Sequence, residues 1–191
     1  MKPIERSELV DLGAYEQIRE HFRARVSAAK KARYVALGPN ITLLFENRDT
    51  VLFQIQEMLR TERITNEKAI AHELETYNEL IPGRSELSAT LFIEYPDREE
   101  RERMLVALAG VEDDFFVEIG GERLPVVPDT RGTEPGRTMA VQYSKFPLTP
   151  AAREKLIAKQ GPIRIGVDHP AYRATTELAA ATVQSLADDF D

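Results

Sequence analysis

Three sets of side chains in this sequence have the types and spacing that chemistry needs. The first is Asp168-His169-Pro170-Ala171-Tyr172, directly after the β-rich run Ile163 to Val167. An imidazole placed there can act as general acid or base, with Asp168 and Tyr172 to orient it or share its proton work. Strand-end loops carry function disproportionately, yet Asp-His-Pro is also an adequate turn by which a chain leaves a strand. The second set is His72, Glu75 and Glu79, which share one face of a helical stretch. Glu57 or Glu62 on the preceding helix would join them if the two helices pack antiparallel, and carboxylates with histidine across helices can hold a pair of metal ions. That face lies opposite the apolar stripe of its own helix, so a solvated acidic surface is the more economical reading. The third set is Asn47-Arg48-Asp49, followed by Gln54, Gln56, Glu57, Arg60, Glu62 and Arg63 at a strand-to-helix junction. Arg48 beside a helix N-terminus can hold a carboxylate or phosphate through forked donors and free backbone amides. A cap with intrahelical ion pairs explains the same residues.

Composition removes other chemistries. The 191 residues include no cysteine, which excludes disulfides, thiolate metal sites and thiol nucleophiles. His21, His72 and His169 are the only histidines and stand far apart, so a tris-histidine zinc site would need all three to converge. The sequence contains no Gly-x-Gly-x-x-Gly, Walker-type or Gly-x-Ser-x-Gly pattern, and no cofactor is expected. Lys and Arg total 25 against 32 Asp and Glu, and the resulting charge of −7 disfavours nucleic acid as a partner. No apolar run reaches membrane-span length and no signal-peptide pattern opens the chain, so a cytoplasmic protein without membrane insertion is expected.

The elements that must position these residues are legible from periodicity. Tyr15, Ile18, Phe22, Val26 and Ala29 recur at helical spacing over about 14–33, and the exposed side and C-terminal half carry Arg19, Arg23, Arg25, Lys30, Lys31 and Arg33. Tyr34 to Leu37 and Ile41 to Glu46 flank Gly38-Pro39-Asn40 and read as a hairpin. Asn47 to Asp49 cap a helix with Val51, Leu52, Ile55, Met58 and Leu59 on one face and Phe53 on the other, which implies a second packed surface, within the chain or between subunits. Thr65 caps a further helix carrying Ile70, Leu74 and Tyr77, so the two form an αα-hairpin. Leu87 to Tyr95 is a strand, central in its sheet, and Asp97 with Glu100 caps a helix that stops at Gly110. Strands follow at Phe115–Ile119, Arg123–Val127, Thr138–Lys145 and Ile163–Val167, with a helix after Thr149-Pro150 and a strand over 171–177. A terminal helix carries Ala179, Val183, Leu186 and Phe190. The pattern predicts one α+β domain over 1–191, with a mixed, largely antiparallel sheet, helices packed on it and a flexible loop at 128–137.

Several long segments carry a resemblance. Ala36-Leu-Gly-Pro-Asn-Ile-Thr-Leu-Leu-Phe-Glu-Asn-Arg-Asp-Thr, Gln54-Ile-Gln-Glu-Met-Leu-Arg-Thr-Glu-Arg-Ile, Ala89-Thr-Leu-Phe-Ile-Glu-Tyr-Pro-Asp and Ile165-Gly-Val-Asp-His-Pro-Ala-Tyr resemble a bacterial family known as domain of unknown function 3501. The likeness extends over nearly the whole chain and transfers no catalytic residue. It implies a setting, since such proteins are typically encoded beside a rubrerythrin and an iron–sulfur oxidoreductase, a peroxide- or oxygen-defence module. Two functions follow. One is a non-catalytic accessory or interaction protein of that redox system, self-associating as a homo-oligomer and partnering rubrerythrin or the oxidoreductase. The other is a small-ligand- or metal-binding enzyme in which His169, Asp168, Tyr172, Arg48 and Glu57 converge, or in which His72, Glu75 and Glu79 bind a metal.

Overall fold

A computed structural model describes residues 1–129 and 135–190. Helix α1 spans Leu12–Lys31, opened by the Asp11 carboxylate on the amide of Ala14 and closed by Lys30 and Lys31 against the negative end of the helix dipole. Strands β1 (Tyr34–Ala36) and β2 (Ile41–Phe45) form the expected antiparallel hairpin. Its turn needs Gly38, at φ +71°, because a Cβ there would stand 2.5 Å from the hydroxyl of Tyr172. Helix α2 (Arg48–Thr61) begins in a reciprocal cap: Asn47 accepts from the amide of Thr50, and the Thr50 hydroxyl accepts from the amide of Asn47. Helix α3 (Glu67–Asn78) is capped by Asn66 and not by Thr65, since the Asn66 side-chain oxygen takes the amides of Lys68 and Ala69.

The remaining elements are β3 (Glu86–Ile93), α4 (Arg98–Ala107), β4 (Phe115–Ile119), β5 (Glu122–Pro125), β6 (Val127–Pro128), β7 (Val141–Pro147), α5 (Pro150–Ile157), β8 (Ile163–His169), β9 (Tyr172–Glu177) and α6 (Ala180–Ala187). The class is α+β, as the sequence implies. The strands divide between two sheets where a single sheet was expected: β1-β2-β3-β7-β6, with β3 central, and β5-β4-β8-β9, every pairing antiparallel. The division falls inside the run read as one strand, Arg123 to Val127. Leu124 pairs with Val117 in one sheet and Val127 with Lys145 in the other. Pro125 and Pro128, which cannot donate to a ladder, end these two short edge strands on either side of the crossing. Of the loop expected at 128–137, residues 130–134 lie outside the described residues.

Alternation along β3 turns every second residue toward one core. Leu87, Ala89, Leu91 and Ile93 join the inward residues of the second sheet, among them Val117, Ile119, Ile163, Ile165 and Val167, in a cluster closed by α4, α5 and α6. On the other side of the first sheet a second cluster gathers Val51, Ile55 and Leu59 of α2, Ile70 and Leu74 of α3, and Ile4 and Leu9 of the N-terminal segment. Helix α1 forms an outer layer on α2. Phe53 meets the ring of Phe22 edge-on at 5.7 Å, with the ammonium of Lys30 5.4 Å from its centroid, so its second packed surface lies within the chain. The apolar stripe of α1 is wider than this contact covers: Tyr15 and Val26 are buried, while Ala29 is exposed and Ile18 is 49% exposed.

Candidate functional site

The hairpin β8–β9 places His169 opposite Tyr172, both on the inner side of the second sheet. The ring is 8% exposed, and its Nδ1 accepts from the amide of Ala171 at 3.1 Å. The Tyr172 hydroxyl donates to the carbonyl of Leu37 at 2.7 Å and accepts from the amide of Asn40 at 3.1 Å, which fastens this hairpin to the β1–β2 turn. Neighbouring residues of a strand face opposite sides, so Asp168 points outward, 3.1 Å from Arg173 and 3.6 Å from Arg123. The guanidinium of Arg123 lies 3.6 Å from the centroid of Phe116, which itself rests in the space left by Gly166.

Arg48 reaches both carboxylate oxygens of Glu8 and the carbonyl of Lys2, tying the N-terminal segment to the start of α2. Its guanidinium holds the Glu8 carboxyl below the ordinary range. Glu57 accepts two bonds from Arg19 and one from the Tyr15 hydroxyl, each at 2.8 Å, and this fork locks α1 onto α2. Arg19 holds the Glu57 carboxyl below its usual value, while burial and then Glu57 raise the Tyr15 phenol. The structure therefore brings His169 and Tyr172 together, and gives Asp168, Arg48 and Glu57 to three other contact networks. His72, Glu75 and Glu79 stand exposed on and just beyond α3. Among the described residues no group of three His, Asp or Glu side chains is arranged to hold a metal ion.

Sequence reading missed two polar groups and misplaced a third. Arg33, counted among the solvated cations of α1, is 1% exposed: it donates to the carbonyls of Phe45 and Glu46 and to Ser185, and pairs with Asp189. Position alone conceals this, because the partners are contributed by β2 and by the far end of the chain. Glu46 is likewise buried and accepts from the hydroxyls of Thr50 and Thr90. Beside it Ser88 is 2% exposed with no hydrogen-bond partner for its hydroxyl, and it lines a cleft of ≈ 170 Å³ with Leu80, Val127, Tyr143 and Lys145. Polar residues at Glu46, Ser88 and Thr90 within strongly apolar strands were the available signal.

The most apolar opening among those described is a groove of ≈ 380 Å³ between α1, the N-terminal segment and α2. Val10, Ile18, Phe22 and Leu52 form its walls, with His21 and Arg25 on the rim. Gln56, beneath it, accepts from the amide of Val10 at 2.8 Å and so fixes the N-terminal wall. Side chains of these types, on elements held by Glu57 and Arg48, offer an apolar contact surface with a polar border and not a set of reacting groups.

No curated protein matches the chain. A crystal structure of a novel protein of unknown function from Burkholderia pseudomallei is 37% identical, covers 100% of both chains and superposes with a TM-score of 0.93. Residues 3–190 match the model of a family described as protein of unknown function, DUF3501. With nearly its whole length matched, the chain belongs to the DUF3501 family.

Proposed function

We propose that this protein is a non-catalytic interaction protein serving an oxidative-stress redox system of the rubrerythrin and iron–sulfur oxidoreductase type, in the cytoplasm. The observation that carries the docking half of this reading is the groove beside α1, where Ile18 is left half exposed on a scaffold otherwise locked by ion pairs and caps. The redox half rests on the setting implied by the family resemblance. Isothermal titration of the purified chain with a rubrerythrin and an iron–sulfur oxidoreductase from the same genome tests both. Binding at micromolar concentration that Ile18→Glu weakens at least tenfold is the expected result. No binding to either protein at 100 times that concentration overturns the reading.

A second reading, a small-ligand binder, has the buried hydroxyl of Ser88 and the adjacent Lys145 in its favour. Lys145 donates to the carbonyl of Ile81 at 2.8 Å and to Glu86 at 2.9 Å, which leaves one ammonium hydrogen for a bound acceptor. Thermal-shift screening against small carboxylates and amides tests it: a stabilising compound whose effect Ser88→Ala removes supports this reading, and a panel without any such compound counts against it.

A further inference from the structure

We propose that the cleft lined by Ser88 and Lys145 binds a compact, neutral carbonyl compound such as a small amide, whose carbonyl oxygen accepts from both side chains. The inference rests on the second, ligand-binding reading above and names the chemical class which that site takes. It is independent of the groove beside α1.

Cross-strand pairing builds the site. Ser88 on β3 stands opposite Lys145 on β7, and Lys145 stands opposite Val127 on β6, so the three side chains share one face of the first sheet. Directly opposed residues have Cβ atoms about 4.5–5.5 Å apart, close enough for a hydroxyl and an ammonium to meet on one oxygen. Leu80, Val127 and Tyr143 supply apolar wall. Ser144 also lines the cleft, but it stands opposite Ala89 of the inner core and its side chain turns to that other face, so Ser88 supplies the hydroxyl. The ≈ 170 Å³ of the cleft equals the liquid volume of about six waters, which limits an occupant to a few heavy atoms.

The polar groups then select the ligand. The Ser88 hydroxyl is buried without a partner, and an acceptor in the cleft removes the cost of leaving it unbonded. Glu46, whose amide donates to the Ser88 carbonyl, does not take this hydroxyl: its two carboxylate oxygens accept from Thr50 and Thr90. Lys145 commits two of its three hydrogens to the carbonyl of Ile81 and to Glu86. Glu86 is itself held by the amide of Gly83 at 2.8 Å, which keeps the ammonium in place. A hydroxyl and an ammonium hydrogen suit the two lone pairs of one carbonyl oxygen. Charge separates an amide from a carboxylate. Lys145 is the only cation among the described residues that line the cleft, and Glu86 already neutralises it. An anion would therefore lose water there without gaining a counter-charge, whereas a neutral carbonyl exchanges one set of hydrogen bonds for another.

Nitrogen–proton correlation NMR on the full chain, titrated with propionamide and separately with propionate as the anion of the same shape, tests the proposal. Propionamide is expected to bind at millimolar concentration, to shift the backbone signals of Ser88, Tyr143 and Lys145, and to bind more tightly than propionate. Ser88→Ala is expected to weaken it about tenfold, the effect of losing one buried hydrogen bond, with circular dichroism confirming that the variant remains folded. No shifts at about 100 mM propionamide, shifts indifferent to Ser88→Ala, or propionate bound as tightly as propionamide overturns the proposal. If propionate binds through Ser88 and propionamide does not, the ligand-binding reading stands and this inference fails. If neither binds, both fail.

Discussion

Glu57 joins two residues of α1 to α2, since one carboxylate collects the Arg19 fork and the Tyr15 hydroxyl. Its folded-state pKa lies below the unfolded value, so its contribution to stability is fully present above the ordinary carboxylate range and is lost as pH falls through the lowered value. Urea denaturation as a function of pH is expected to show the wild type losing stability below about pH 4, with a shallower loss in Glu57→Gln. At Gly166 the constraint is steric. A Cβ there would fall 2.1 Å from the ring of Phe116, with the Arg123 guanidinium stacked on that ring. Gly166→Ala is expected to cost about 1–3 kcal/mol in denaturant unfolding, because the ring has to leave its place over the strand.

At the scale of elements, boundaries follow from which side chain satisfies free backbone amides. Thr65 and Asn66 are both competent caps, but only Asn66 stands one residue before the first turn of α3 and takes two amides there. Asn66→Ala is accordingly expected to lower stability by about 1 kcal/mol, with Thr65→Ala near neutral, as read from denaturant midpoints. The same reasoning accounts for the strand that became two. A run of β-formers at Arg123 to Val127 says nothing about which ladder each residue joins, and the partners of Leu124 and Val127 lie in different sheets.

Over the whole molecule, Arg33 connects parts that are distant in sequence: the end of α1, the end of β2 and the C-terminal turn carrying Asp189. Burial raises the Asp189 carboxyl above its ordinary value in spite of Arg33. A raised acid holds its proton more readily folded than unfolded, so its contribution to stability declines as pH rises from the unfolded toward the folded pKa. At neutral pH the pair depends on Arg33 remaining in place. Arg33→Ala is expected to destabilise by about 3–5 kcal/mol, since it leaves buried carbonyls and a carboxylate without their donor. Hydrogen exchange on the variant is expected to show α6 and the residues after it opening first.

Local order was therefore written in the residues. Alternation at Leu87 to Ile93, the helical stripe at Ile70, Leu74 and Tyr77, and the caps at Asn47 and Asp97 each act within a few residues, where backbone geometry and free amides leave little choice. What sequence could not decide was every question of partnership across the chain. Arg33 looked like one more solvated cation of a basic helix, Phe53 left open a contact within or between subunits, and His169, Arg48 and Glu57 were equally free to converge or to separate. Spacing along a chain specifies which face a side chain occupies; only packing specifies what that face meets. Tertiary structure buried Arg33 against Asp189, laid Phe53 on Phe22, dispersed the polar residues into separate networks and left Ile18 at the surface.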